Sequence, residues 1–392
     1  MIAGLTVFVV YLYLYIGPSQ ILYVLRNVNP TQYAIFYSLA ILAVLGSVFC
    51  WSAAWNSILK KLCVDISYRK TYLFYWVGNF TDLIIPCATV CGELTRLYLV
   101  QRETKENYGA LGASAITNRL VAYAIVTSGL YIGSIFVLFK HGVPALITNV
   151  FILLILGSTG YLAVLLFLAF SKSAAGYLTK TYFKILKVFR PKKLTEYYIK
   201  KTQHSMEGFY EGFKVFRENP RYLIRPIIFH ALAYILGLSV FVLVFYALGI
   251  TTVTPGFYIA VYFIATSFQD ASASFSVGSL DILLATIFIL YGISSGLSGI
   301  AVVILRSALF WFPLLAGFVC VQIIGAKNLV AVKPKDMRKS MEERKLGEKT
   351  VPLSESPTTN NIDLKTGKIF KIDSENQVES QEHQEKQKSL EK

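Results

Sequence analysis

Apolar runs of twenty residues or more, set apart by short polar stretches, organise most of this chain. They fall at residues 33 to 59, 109 to 139, 145 to 170, 226 to 248 and 296 to 325, with a shorter first run at 2 to 16. A hydrocarbon core of ~30 Å takes ~20 apolar residues in helical form, so each long run predicts a membrane-spanning helix. Two further runs are interrupted. Residues 71 to 91 contain Gly78, Asn79, Asp82 and Pro86, and residues 257 to 292 carry Gln269, Asp270, Gly278 and Asp281 among several serines. Neither makes one plain helix, because buried charge and helix breakers at membrane depth demand protein or water around them.

Charge changes this picture by giving it sides. Only 16% of the 392 residues are charged, 55% are apolar and mean hydropathy is +0.53. That composition fits a membrane protein and fits poorly with a soluble enzyme, a secreted disulfide scaffold or a nucleic-acid binder. Residues 171 to 226 hold 13 Lys/Arg against 4 Asp/Glu, and residues 327 to 392 hold 14 against 12. The net charge of +15 therefore reads as loop charge retained on the cytoplasmic face. Lys60, Lys61, Arg69 and Lys70 mark one inside loop, Lys172 to Arg225 a second, and Lys327 to Lys345 a third.

Counting crossings between these clusters fixes the interrupted runs. The spans 109 to 139 and 145 to 170 already return the chain to the inside, so 71 to 91 must enter and leave from the cytoplasmic side. By the same parity 257 to 292 enters and leaves from outside. The sequence thus predicts an all-α, polytopic helical membrane protein with two inverted repeats, each containing a broken or re-entrant helix segment. Residues 1 to 326 form the membrane domain and 327 to 392 a disordered polar tail, poor in apolar residues. The expected location is the cell membrane, multi-pass, with the N-terminus and the tail cytoplasmic. Residues 1 to 16 lack a basic start and a small-residue cleavage site and read as a first span.

Each interrupted run precedes a span with a single arginine. Glu93 stands 26 residues before Arg119, and Asp281 stands 25 before Arg306. Each arginine is the only charged residue of its apolar run, close to mid-membrane, where a charge costs ~2.5–3.5 kcal/mol unless paired or hydrated. Two roles are open: each guanidinium pairs with an acid and locks the bundle, or Arg96, Arg119 and Arg306 attract an anionic head group. Asp82, Glu93, Asp270 and Asp281 are the candidate counter-charges or coupling groups, and Gly78, Pro86, Gly92 and Gly278 the candidate hinges or helix breaks. Asn79, Asn118 and Gln269 read as hydrogen-bond partners for backbone or arginine. The five cysteines and four histidines show neither metal-ligand spacing nor a disulfide framework, so no metal and no cofactor is expected.

The strings "PCATVCGELTRLYLV" and "ASAITNRLVAYAIV" resemble the lysylphosphatidylglycerol synthase transmembrane region, the flippase-like domain family of integral membrane proteins. Pro86, Gly92, Glu93, Arg96 and Arg119 fit its first motif, and Gly278 and Arg306 its second. Asn118 stands where the family usually has a glutamate, and Asp281 replaces the glutamate that closes the second motif. The resemblance spans residues 5 to 326 and implies movement of an anionic or head-group-modified lipid, or a polyprenyl-phosphate-linked substrate, between leaflets. Neither the aminoacyl-transferase domain nor the glycosyltransferase domain carried by some relatives follows here, so the lipid would be made elsewhere.

Two other functions compete with a lipid translocase. One is a membrane-embedded transferase using a lipid-linked donor, although residues 17 to 32 lack the paired acids such enzymes place in an early external loop. The other is a non-transporting partner subunit of a separate lipid-modifying enzyme. The loop 171 to 225, with aromatics among its basic residues, suits the anionic leaflet surface, while nucleic acid is not an expected partner.

Overall fold

The computed structural model describes residues 28 to 85, 90 to 138, 145 to 170, 208 to 251, 253 to 272 and 276 to 325, with isolated positions 13 and 26 and the pairs 361–362 and 369–370. The expected first span at 2 to 16, Pro86, and residues 171 to 207 of the basic loop lie outside them, apart from Tyr13. The unit Met1–Gln322 contains the membrane helices. These are α1 (Pro30–Lys61), α2 (Tyr68–Ile84), α3 (Val90–Thr104), α4 (Tyr108–Leu138), α5 (Ala145–Phe170) and a short α6 over 208–218. After a 3₁₀ turn at Pro220–Leu223 come α7 (Ile224–Ala247), α8 (Pro255–Ser272), α9 (Ser276–Leu290) and α10 (Ser295–Arg306). A π-turn at Ser307–Trp311 leads into α11 (Phe312–Ile324). In the second unit, Ile323–Lys392, a short antiparallel pair joins Asn361–Ile362 to Ile369–Phe370.

Among the described residues, five helical stretches are long and apolar enough to cross a membrane: Pro30–Lys61, Tyr108–Phe136, Thr148–Phe167, Pro220–Ala247 and Ser295–Ile324. They are the five long apolar runs of the sequence. Their outward faces carry exposed Leu42, Leu153, Leu156, Ile235 and Leu315, the inverse of a soluble protein and the expected surface toward lipid. Asn29 starts α1 by accepting from the backbone N–H of Thr31 at 3.0 Å and of Gln32 at 3.3 Å, with Pro30 in the first turn. Asn29→Ala is expected to lower stability by about 1 kcal/mol, read as a reduced thermal unfolding midpoint in detergent.

The interrupted runs form helical pairs. α2 and α3 have 17 and 15 residues, or ~25 and ~22 Å at 1.5 Å per residue, each short of the hydrocarbon core. They cross so tightly that a Cβ on Gly92 would lie 2.4 Å from the Gly78 carbonyl oxygen and 2.1 Å from an Asp82 carboxylate oxygen. The sequence places this segment at 71 to 91, whereas its second leg continues to Thr104, because Glu93 and Arg96 find partners inside the protein. α8 and α9 make the second pair, and α8 packs against α4 through Gly129 and Gly133. A Cβ on Gly133 would stand 2.8 Å from Ala260 Cα, and on Gly129 2.3 Å from the Phe263 ring, the close approach that small residues four apart permit between membrane helices. Phe245, Phe257 and Phe288 pack with ring centroids 5.0–5.9 Å apart and fasten α8 and α9 to the end of α7.

Candidate functional site

Arg119 and Arg306 each lie 11 residues into their helical stretches, ~17 Å along the axis and so near the centre of a ~30 Å core. Both line one cavity of about 360 Å³ between α1, α2, α3, α4, α7, α8, α9 and α10. Among the described residues its charged lining consists of Asp82, Glu93, Arg96, Arg119, Asp270, Asp281 and Arg306, the seven residues singled out from the sequence. Trp51, Ala122, Phe241, Leu284 and Leu305 make its remaining wall largely apolar.

Three ion pairs organise the charge. Arg96 donates to Asp82 at 3.3 Å and to Asn79 Oδ1 at 2.8 Å, with its guanidinium 4.1 Å from the Tyr75 ring centre. Arg119 donates to Glu93 at 2.9 Å and sits between the Tyr123 and Tyr161 rings, 5.8 and 5.9 Å away. Arg306 donates through Nε to Asp281. The spacings of 26 and 25 residues seen in the sequence are therefore ion pairs in space. Asp270, near the C-terminus of α8, accepts a hydrogen bond from the Tyr123 hydroxyl.

A second device recurs. Asp82 accepts the backbone N–H of Gly92 at 2.6 Å as well as Arg96, and Asp281 accepts that of Gly278 at 2.9 Å as well as Arg306. In each case one carboxylate ties a glycine at a broken segment to a guanidinium. Gly278 has φ of +92°, a conformation an L side chain rarely adopts, so glycine is required there. Gly78 accommodates the Arg96 side chain where a Cβ would stand 2.1 Å from Nε.

The pairs differ in accessibility. The Asp281 side chain is 2% exposed, whereas that of Glu93 is 24% exposed and its partner Arg119 13%. Arg306, at 15%, is as accessible as Arg119, so the two pairs differ in their carboxylates: Asp281 is enclosed and Glu93 is open to the cavity. Sequence reasoning missed several groups. His230 is fully buried on α7, bonds Asn118 Oδ1 through Nε2 at 2.9 Å and meets Trp51 edge-on at 4.7 Å. Tyr123, one turn after Arg119 on the same helix face, could have been found from its spacing; His230, 112 residues from Asn118, could not. Gln269 also lines the cavity and Asn79 serves Arg96 as expected. Cys91 is disulfide-bonded, although the cysteine spacing in the sequence implies no disulfide framework. No cluster of three metal-ligating side chains occurs among the described residues.

The family model for the lysylphosphatidylglycerol synthase TM region matches residues 1–317. The chain belongs to this family. The residue before Arg119 is Asn118, and its carboxamide is taken up by His230. The chain is 25% identical over 326 residues to the UPF0104 membrane protein MJ1595 of Methanocaldococcus jannaschii, covering 81% of this chain and 92% of that one. It is 23% identical over 300 residues to the UPF0104 membrane protein PH1989 of Pyrococcus horikoshii, covering 73% and 86%. No solved structure matches. The protein is a multi-pass membrane protein of the lysylphosphatidylglycerol synthase TM-region family.

Proposed function

We propose that this protein is a lipid translocase that carries a phosphate-bearing lipid between leaflets of the cell membrane. The observation that supports this most is the convergence of Arg96, Arg119 and Arg306 on one mid-depth cavity. A volume of about 360 Å³ lies at the small end of ligand pockets. It suits a head group whose chains stay in the bilayer. The guanidiniums are held at mid-membrane by carboxylates, and a phosphate presents the same paired oxygens to the planar fork. Glu93 is the carboxylate an incoming anion reaches first, so exchange begins at Arg119.

The two helical pairs act in this reading as inverted repeats that expose the cavity to each face in turn, with both termini cytoplasmic. The basic residues of 171 to 225, among them exposed Lys214 and Arg217 on α6, face the anionic leaflet, and a separate lipid-modifying enzyme supplies the substrate. The test is leaflet exchange of fluorescent phosphatidylglycerol or a labelled polyprenyl phosphate in proteoliposomes. The wild type is expected to exceed protein-free vesicles, and Arg119→Ala to lose at least about tenfold in rate, the equivalent of one 1.4 kcal/mol interaction. Wild-type vesicles exchanging no faster than empty ones would end this reading, and turnover of a lipid-linked donor without exchange would favour a transferase.

A further inference from the structure

The seven charged groups around the cavity do not balance. Asp82, Glu93, Asp270 and Asp281 face Arg96, Arg119 and Arg306, so with every group ionised the described residues give the cavity a formal charge of −1. Among the described residues the ion pairs within 4 Å employ Asp82, Glu93 and Asp281. Asp270 is the fourth acid, held by a tyrosine hydroxyl. It lies two residues from the C-terminus of α8, whose last turn has no basic residue. A carboxylate there meets the negative end of the helix dipole.

We infer that Asp270 is the proton-binding site of this cavity and that it takes up a proton when a monoanionic lipid head group binds. The inference rests on the lipid-binding reading above and adds its coupling ion. An anionic phosphate entering a cavity of charge −1 raises it to −2 in a medium where like charges repel strongly. One proton, delivered from solution to the Asp270 carboxylate, restores −1, and the head group is then shared among three guanidiniums and three carboxylates. Because binding linkage is reciprocal, protonation favours the lipid by the same factor as the lipid favours protonation. Proton and head group enter together and leave together, which makes a proton gradient a source of directional work.

The groups that set this equilibrium come from every side. On α4 they are Arg119 and the bonding Tyr123; on α3 Glu93; on α2 Asp82; on α5 Tyr161. Tyr234 of α7 and Tyr262 of α8 also face Asp270, and Asp281 and Arg306 stand across the cavity already paired. Among the described residues Asp270 differs from the other three acids in lacking an arginine partner within 4 Å, so protonating it breaks no ion pair.

The sign follows. Binding of the anionic lipid is strongest where Asp270 is protonated and weakens as pH rises through its titration, by up to about tenfold in Kd per pH unit. The experiment adds short-chain phosphatidylglycerol to the full chain in weakly buffered detergent and follows a pH indicator, with diacylglycerol of equal chain length as the neutral control. The wild type is expected to take up as much as about one proton per phosphatidylglycerol bound and none with diacylglycerol. Asp270→Asn should bind phosphatidylglycerol without proton uptake, with the acid-pH affinity of the wild type at every pH. Tyr123→Phe, which keeps the acid, should retain uptake over a shifted pH range. Phosphatidylglycerol binding to the wild type without proton uptake overturns the inference, as does undiminished uptake by Asp270→Asn. Proton-linked binding without leaflet exchange would remove the translocase reading alone, and exchange without a linked proton would remove this inference alone.

Discussion

Asp281→Asn is expected to destabilise the protein by about 3–5 kcal/mol, the cost of leaving a buried guanidinium without its carboxylate. The side chain is 2% exposed and bonds both Arg306 and the Gly278 N–H. Asparagine preserves shape and can still accept from Gly278, so the variant isolates the charge. Replacing the whole pair is a different matter, since a buried ion pair exchanged for neutral groups is often close to neutral in stability. The double variant Asp281→Asn/Arg306→Met should therefore recover most of the lost stability while remaining defective in leaflet exchange. Thermal unfolding in detergent reads the first effect and proteoliposomes the second. Equal destabilisation of the single and double variants would show that packing around α9 and α10, rather than charge, holds this corner.

Gly92→Val should be more damaging still and should yield little folded protein. Any Cβ at this position meets the Gly78 carbonyl oxygen and the Asp82 carboxylate below 2.5 Å, and neither is the free end of a flexible chain. Relief requires moving α2 away from α3, which breaks the Gly92–Asp82 hydrogen bond and the Asp82–Arg96 pair together. Overpacking against yielding side chains costs ~1–3 kcal/mol, and against backbone the cost exceeds that range. Gly160→Val is the internal control, because a Cβ there meets nothing within 4 Å on lipid-facing α5. Its effect should stay within about 0.5 kcal/mol. Size-exclusion profiles and yields of the two variants compare them directly, and equal recovery would show that the helical pair tolerates separation.

How much of the site was legible depended on the kind of signal. A lone arginine in an apolar run is conspicuous because hydrocarbon penalises it, so Arg119 and Arg306 stood out, and the acids one broken segment upstream were their nearest candidates. Asn79 and Tyr123 lie within one or two turns of these charges and share their periodicity. His230 carried no such mark. It sits in an apolar span with no charged neighbour, and its role exists only because α7 packs along α1 and against α4. The continuation of α3 to Thr104 was equally hidden, since its mean composition is too polar for an apolar-run criterion and its burial depends on crossing α2.

The sequence alone determined which segments enter hydrocarbon, because the solvation cost of backbone and charge acts locally and can be read residue by residue. It also determined which ionisable groups needed partners. Tertiary structure alone decided who those partners are, that these seven charges share one chamber, that Asp281 is more enclosed than Glu93, and that Asp270 meets a tyrosine hydroxyl rather than an arginine within 4 Å among the described residues. Those are questions of distance between helices far apart in the chain, settled by glycine-mediated close approach and ring packing.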